Sequence, residues 1–88
     1  MTRTFHHFNM KEQILKLGQM PFLFAIKELE LQEKYEQCEY AKKQLQQYCE
    51  YYRINMRSIE GYEVQNEKHM KQLTDIAIEQ IETSYKNK

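Results

Sequence analysis

The sequence PFLFAIKELELQEKYEQCEYAKKQLQQYCEYYRINMRSIE, residues 21–60, carries the longest helical pattern in the chain. It contains no glycine, and its one proline stands first, where a fixed φ and a missing N–H group suit the start of a helix. Uncharged side chains recur every seven residues along it, and we call them the heptad ladder: Phe24, Leu31, Cys38, Leu45, Tyr52 and Ile59. This spacing predicts one long amphipathic helix that lies along another helix and associates with a second copy through the ladder.

The composition predicts helix in the rest of the chain as well. The 88 residues include only two glycines and one proline, and good helix formers such as Gln, Glu, Lys and Leu are abundant. Thirteen Lys and Arg residues balance thirteen Asp and Glu residues, so the formal net charge is zero. Because such a chain has no overall field that attracts phosphates or anionic lipids, the balance disfavours binding to nucleic acid or to a membrane surface.

The cysteines and the hydropathy pattern favour a cytoplasmic protein. Cys38 and Cys49 both lie on the predicted long helix, about 16 Å apart along its axis, so they cannot form a disulfide with each other. We interpret them as buried free thiols, which suits a reducing compartment. No apolar run is long enough to cross a bilayer, and the first ten residues lack the features of a signal peptide.

The remaining elements can be placed from local signals within one helical domain, residues 1–88. Residues 1–8 form an arm, and Asn9 with Glu12 resembles a capping arrangement that begins a short helix over 9–17. Gly18 ends this helix. A returning helix is predicted over 62–85, since apolar side chains follow one another there at spacings of three and four: Met70, Leu73, Ala77, Ile81 and Tyr85.

The long helix is predicted to end at Gly61, where the chain turns back. Acidic residues dominate 28–39 and 60–82, whereas basic residues dominate 40–57. A reversal at Gly61 would place Glu63 near Arg57 and Glu79 near Lys43. We therefore predict an all-α, coiled-coil-like helical hairpin with a short N-terminal helix. Because two helices of this size are marginally stable alone, we expect a homodimeric helical bundle.

A second apolar face of the long helix is predicted to bind another protein. Phe22, Ile26 and Leu29 lie away from the heptad ladder, and a helix that is apolar on two sides needs two neighbours. Tyrosines continue this face, and phenylalanines of the N-terminal arm can extend it. The predicted partner-binding residues are Phe5, Phe8, Phe22, Ile26, Leu29, Tyr40 and Tyr51.

No motif for catalysis or for a bound group is present in the sequence. The histidines are the adjacent pair His6 and His7 together with His69, and they lack the spacings of metal ligands. Ser58 and Ser84 do not stand in a nucleophile elbow, and the two glycines form no phosphate-binding loop. We expect no enzymatic activity, no cofactor and no metal.

The most economical hypothesis is a small non-enzymatic protein that binds another protein as an adaptor, regulator or inhibitor. Its size and composition are typical of such proteins, including those of phages and plasmids. One alternative is a helical dimer associated with nucleic acid, since tyrosines and four cations alternate over 40–57; these cations are Lys42, Lys43, Arg53 and Arg57. Another alternative is an assembly or scaffolding component in which the long helix pairs repeatedly.

Overall fold

The computed structural model describes residues 9–87 and shows an all-helical fold. Its helices are α1 (Met10–Leu17), α2 (Gln19–Leu31), α3 (Tyr35–Tyr52) and α4 (Glu67–Lys86). No strand occurs within 9–87, so the prediction of an all-α chain is confirmed for this part. The predicted arm, which contains Phe5 and Phe8, lies outside the described residues.

The start and end of α1 lie where the local signals placed them. The Asn9 side-chain oxygen accepts hydrogen bonds from the backbone N–H groups of Lys11 and Glu12, at 3.0 and 3.4 Å. The Asn9 amide also donates to the Glu12 carboxylate at 3.1 Å. Gly18 ends the helix with φ 91°, a left-handed value that glycine adopts at little cost. α2 begins directly after it, at Gln19 rather than at Pro21.

The prediction of one uninterrupted helix over 21–60 is wrong, because the chain leaves the helical conformation after Leu31. Glu33 adopts the left-handed conformation with φ 62°. The N–H of Lys34 then bonds to the carbonyl of Leu29 at 2.9 Å, and that of Glu33 to Glu30 at 3.0 Å. This pair of bonds is a Schellman motif, which satisfies the last carbonyls of α2 and reverses the chain.

The same motif ends α3, so the predicted helix end at Gly61 is also wrong. Arg53 is left-handed with φ 56°, and the N–H of Ile54 bonds to the carbonyl of Cys49 at 3.0 Å. Residues 53–66 are not helical, and we call them the connecting loop. Gly61, with φ 72°, lies inside this loop in a tight turn closed by a bond from the N–H of Tyr62 to the carbonyl of Ile59.

Replacing Glu33 by glycine is expected to stabilise the protein by about 1 kcal/mol, because an L-residue in the left-handed conformation carries a strain that glycine lacks. Gln46→Gly is the matched control, since Gln46 is an exposed residue inside α3. There glycine should lower the free energy of unfolding by about 1 kcal/mol. Urea unfolding measures both changes, and a loss of stability in Glu33→Gly would contradict the break at 32–34.

Buried residues from all four helices form one apolar core. Phe22, Leu29 and Ile14 are among its largest fully buried side chains. The cluster consists of Met10, Ile14, Phe22, Ala25, Ile26, Leu29, Cys38, Ala41, Leu45, Tyr48, Cys49, Ala77 and Ile81. The face of α2 that was predicted to bind a partner is thus the face that folds the chain, because the breaks bring α1, α3 and α4 against it.

α4 packs most extensively along α2 and least along α3, which differs from the predicted hairpin with the basic stretch 40–57. The ion pairs within 9–87 are Lys34–Glu82, Lys42–Glu39 and Lys71–Asp75, and none of them was predicted from the charge blocks. Exposed ion pairs contribute at most about 1 kcal/mol. Burying the apolar faces of α2 and α4 contributes more, and it therefore sets the arrangement.

Candidate partner-binding groove

An open groove lies between α2, the connecting loop and α4, and we call it the α2–α4 groove. Its volume is about 910 Å³. α2 forms one wall from Phe24 to Leu31, and α4 forms the other from Glu67 to Ile78. The connecting loop crosses at Ile59 and 62–64. The residues of α2 that face the core, such as Phe22 and Leu29, do not line the groove.

The floor of the α2–α4 groove is apolar and aromatic. The Phe24 and Tyr62 rings meet edge to face, with their centroids 6.2 Å apart. Leu31 stands at the mouth of the groove and is 69% exposed. The apolar residues that line the groove are Phe24, Leu31, Ile59, Tyr62, Val64, Met70 and Ile78. An exposed apolar concavity of this kind is characteristic of a site that binds an apolar partner.

The rim of the α2–α4 groove is acidic. Four carboxylates line it, from Glu28, Glu63, Glu67 and Asp75, against the two cations Lys27 and Lys71, which leaves a charge of −2. Lys71 is paired with Asp75 at 3.6 Å. Since the whole chain carries no net charge, the fold has concentrated negative charge around the groove.

A buried glutamine fixes the connecting loop against the helices. The Gln19 amide nitrogen donates to the carbonyl of Asn55 at 3.1 Å, and its oxygen accepts from the N–H of Arg57 at 2.9 Å. The Cys49 thiol lies 3.7 Å from the same oxygen. The Gln19 side chain thus supplies hydrogen-bond partners to two backbone groups of the connecting loop. It thereby fixes the segment that leads to Ile59 and Tyr62.

Comparison with known proteins adds no information about the groove. No protein-family model, no curated protein and no solved structure matches the chain.

The structure places the predicted partner-binding residues in different environments. Phe22, Ile26 and Leu29 are buried in the core, so the prediction that they form an exposed surface is wrong. Tyr40 is half-buried, its hydroxyl is hydrogen-bonded to that of Ser84, and its ring contacts Tyr85. Tyr51 is exposed, with the Lys11 ammonium 5.2 Å from the centre of its ring.

The heptad ladder is likewise divided between the core and the α2–α4 groove. Cys38 and Leu45 are buried inside the single chain, so they cannot form a seam between two copies in this fold. Phe24, Leu31 and Ile59 line the groove instead. Tyr52 contacts the rings of Tyr48 and Tyr51, with centroid distances of 5.0 Å in both cases. Self-association stays a prediction, but the heptad ladder cannot serve as its continuous contact surface.

Two of the four predicted nucleic-acid cations lie beside carboxylates in the structure. All four are exposed, but Lys42 is paired with Glu39 at 3.6 Å. Lys43 lies beside Glu36 and Glu39 in a shallow depression. Carboxylates thus stand among the cations of α3, which reduces their attraction for phosphates.

Residues 9–87 contain neither a cluster of metal-binding side chains nor a helix that could cross a membrane. No three His, Cys, Asp or Glu side chains in this part of the chain are grouped so that they could hold a metal ion. None of the described helices is long and apolar enough to cross a membrane.

The two buried thiols make the free energy of unfolding depend on pH. Burial, with a smaller effect of Glu30, raises the pKa of the Cys38 thiol, and burial with a smaller effect of Glu50 raises the pKa of Cys49. A raised pKa means that the folded state holds these protons more tightly than the unfolded state does. The resulting stability is complete below the unfolded pKa of about 8.5 and is lost as the pH rises through the folded value.

We therefore expect the free energy of unfolding to be lower at pH 10 than at pH 7.5. Burial, followed by the neighbouring Tyr52, raises the pKa of Tyr48 as well, so this hydroxyl contributes in the same direction. Urea unfolding at the two pH values measures the difference. Replacing both cysteines by alanine should reduce it, and an unchanged difference in that variant would exclude the thiols as its source.

Proposed function

We propose that this chain is a non-enzymatic protein that binds a larger protein, as an adaptor, regulator or inhibitor, and that it takes its partner in the α2–α4 groove. The observation that supports this proposal is the groove itself: an apolar floor, an exposed leucine at its mouth, and a loop held in place by Gln19. The groove takes the place of the Phe22 face as the proposed partner-binding surface. We place the protein in the cytoplasm, where its two thiols remain reduced.

Site-specific photo-crosslinking tests this proposal. A benzophenone amino acid at position 31 would lie in the α2–α4 groove, and one at position 15 would lie on the outer face of α1, where Leu15 is 56% exposed. We expect a specific cross-linked partner from position 31 and none from position 15. Equal cross-linking from both positions, or cross-linking from position 15 alone, would contradict the assignment of the partner to the groove.

The nucleic-acid alternative is not favoured by any observation on the described residues. The cations of α3 are interleaved with carboxylates, and the α2–α4 groove has an acidic rim that repels phosphates. The scaffolding alternative relied on an uninterrupted helix, which the structure replaces with two shorter ones.

A further inference from the structure

We infer that the occupant of the α2–α4 groove is an amphipathic helix of the partner protein, about three turns long, with lysine or arginine along the edges of its apolar face. This inference rests on the proposed function and specifies the chemistry of the partner. It is supported by the shape of the groove, by the distribution of charge around it, and by the poor fit of a second copy of this chain.

The shape of the groove suits a helix. The α4 wall runs from Glu67 to Ile78, which corresponds to about 16 Å along the helix axis and therefore to three turns of an occupant that lies parallel to it. α2 and α4 stand on either side like two helices of a bundle from which a third is missing. Binding of an amphipathic helix between helices in this way is a recurrent mode of protein recognition.

The charge of the rim selects a basic partner. Within residues 9–87, neither Glu28, Glu63 nor Glu67 takes part in an ion pair, although all three line the groove. Their carboxylates surround an apolar floor, so cations at the edges of an apolar stripe would meet them while the stripe is buried. Such complementarity accelerates association and excludes acidic partners.

A second copy of the chain fits the groove poorly. In a two-fold dimer through this surface, each acidic rim would face its own copy, which is repulsive. A head-to-tail contact would need an exposed apolar stripe with flanking cations. α1 offers Leu15 alone between Lys11 and Lys16. The exposed apolar residues beside Arg53 and Arg57 lie at the last two positions of α3 and in the non-helical connecting loop, so they form no three-turn helical stripe; they are Tyr51, Tyr52, Ile54 and Met56.

The experiment uses two fluorescein-labelled 18-residue peptides and the full chain. In both peptides leucines recur at the spacing i, i+3, i+4, i+7 along the whole length, so that they form one apolar stripe. All other positions are lysine in one peptide and glutamate in the other. Fluorescence anisotropy at low salt should show the lysine peptide binding at least about 10-fold more tightly than the glutamate peptide. Leu31→Asn should weaken binding of the lysine peptide about 10-fold, because it places an amide at the mouth of the groove, where the peptide would bury it.

Charge reversal then tests the rim. Glu63→Lys with Glu67→Lys should abolish the preference for the lysine peptide. Glu50→Lys with Glu79→Lys is the matched control, because it makes the same change in charge at exposed positions outside the groove. The control variant should keep most of its preference for the lysine peptide over the glutamate peptide. If both double variants lose it equally, net charge and not the rim attracts the peptide, and the inference is overturned.

The remaining outcomes separate this inference from the proposed function. If both peptides bind equally and Leu31→Asn weakens both, the groove receives helices but does not select basic ones, so the inference fails and the proposed function stands. If neither peptide binds at millimolar concentration, or Leu31→Asn changes nothing, both fail. A dimer in sedimentation that Leu31→Asn dissociates would assign the groove to a second copy, and tight binding of a single-stranded oligonucleotide would favour the nucleic-acid hypothesis; either result overturns the inference.

Discussion

Replacing Leu29 by alanine is expected to lower the free energy of unfolding by about 2 to 5 kcal/mol. Leu29 is completely buried, and it lies in the core cluster to which all four helices contribute. The smaller side chain would lose the apolar contacts and leave a cavity at the centre of the molecule. Since a chain of 88 residues has a total stability of roughly 4 to 13 kcal/mol, this one change should remove a large part of it. Urea or thermal unfolding followed by circular dichroism measures the effect.

Leu31→Ala is the matched control for Leu29→Ala. Leu31 lies two residues further along the same helix but is 69% exposed, so its truncation should change stability by no more than about 0.5 kcal/mol. The heptad ladder predicts the opposite order, because it places Leu31 in a buried seam and Leu29 outside it. A larger loss for Leu31→Ala than for Leu29→Ala would therefore contradict the fold and favour the long-helix dimer.

Leu31→Asn is expected to weaken binding of the cross-linked partner by about 10- to 100-fold, or about 1.4 to 2.8 kcal/mol. The change removes an apolar side chain at the mouth of the α2–α4 groove and introduces an amide that would be buried without a hydrogen-bond partner in the complex. Because the two side chains have the same number and branching of non-hydrogen atoms and the new one is uncharged, Asn introduces neither a steric clash nor a new charge. Isothermal titration calorimetry with the purified partner measures it.

The control for Leu31→Asn is the same change at Leu15. Leu15 is 56% exposed and lies on α1, outside the groove, so Leu15→Asn should leave the affinity unchanged within about twofold. Circular dichroism should show that both variants keep their helices. An equal loss of affinity in the two variants, or a loss in Leu15→Asn alone, would remove the groove from the proposed function.

The parts of the fold that could be predicted are those with strong local signals. Asn9 with Glu12 marks the start of α1, and Gly18 marks its end, because a side-chain cap and a left-handed glycine act within a few residues. The scarcity of glycine and proline likewise indicates an all-helical chain. These features depend on neighbouring residues and not on the tertiary arrangement.

The two breaks could not be predicted, because the residues that make them carry no such signal. Glu33 and Arg53 are left-handed without being glycine. Their strain of about 1 to 2 kcal/mol each is offset when α2 buries Phe22, Ala25 and Leu29 against three other helices. Gly61, the expected helix end, is used in a loop turn instead. Tertiary packing thus overrides the local preference for a continuous helix.

For the site, the sequence predicts which apolar residues are involved but not which of them are exposed. The sequence indicates that α2 is apolar on two sides and needs two neighbours, which agrees with the structure. It does not indicate which side the chain itself covers, since that choice depends on where the breaks fall. The predicted self-association residues Phe24, Leu31 and Ile59 consequently line the α2–α4 groove, and Phe22, Ile26 and Leu29 form the core. Gln19, which holds the groove's loop, has no sequence signal.

The distance between Ile26 and Cys38 tests the chain reversal at 32–34, on which the core and the groove both depend. The Cys38 thiol lies 3.4 Å from the backbone carbonyl oxygen of Ile26, whereas an unbroken helix would separate the two residues by about 18 Å. Isotope-filtered nuclear Overhauser spectra, which distinguish contacts within one chain from contacts between copies, should show cross-peaks between the Cys38 β-protons and the α-proton of Ile26 in the same molecule. Their absence, together with continuous helical connectivities through 31–35, would contradict the fold and the groove derived from it.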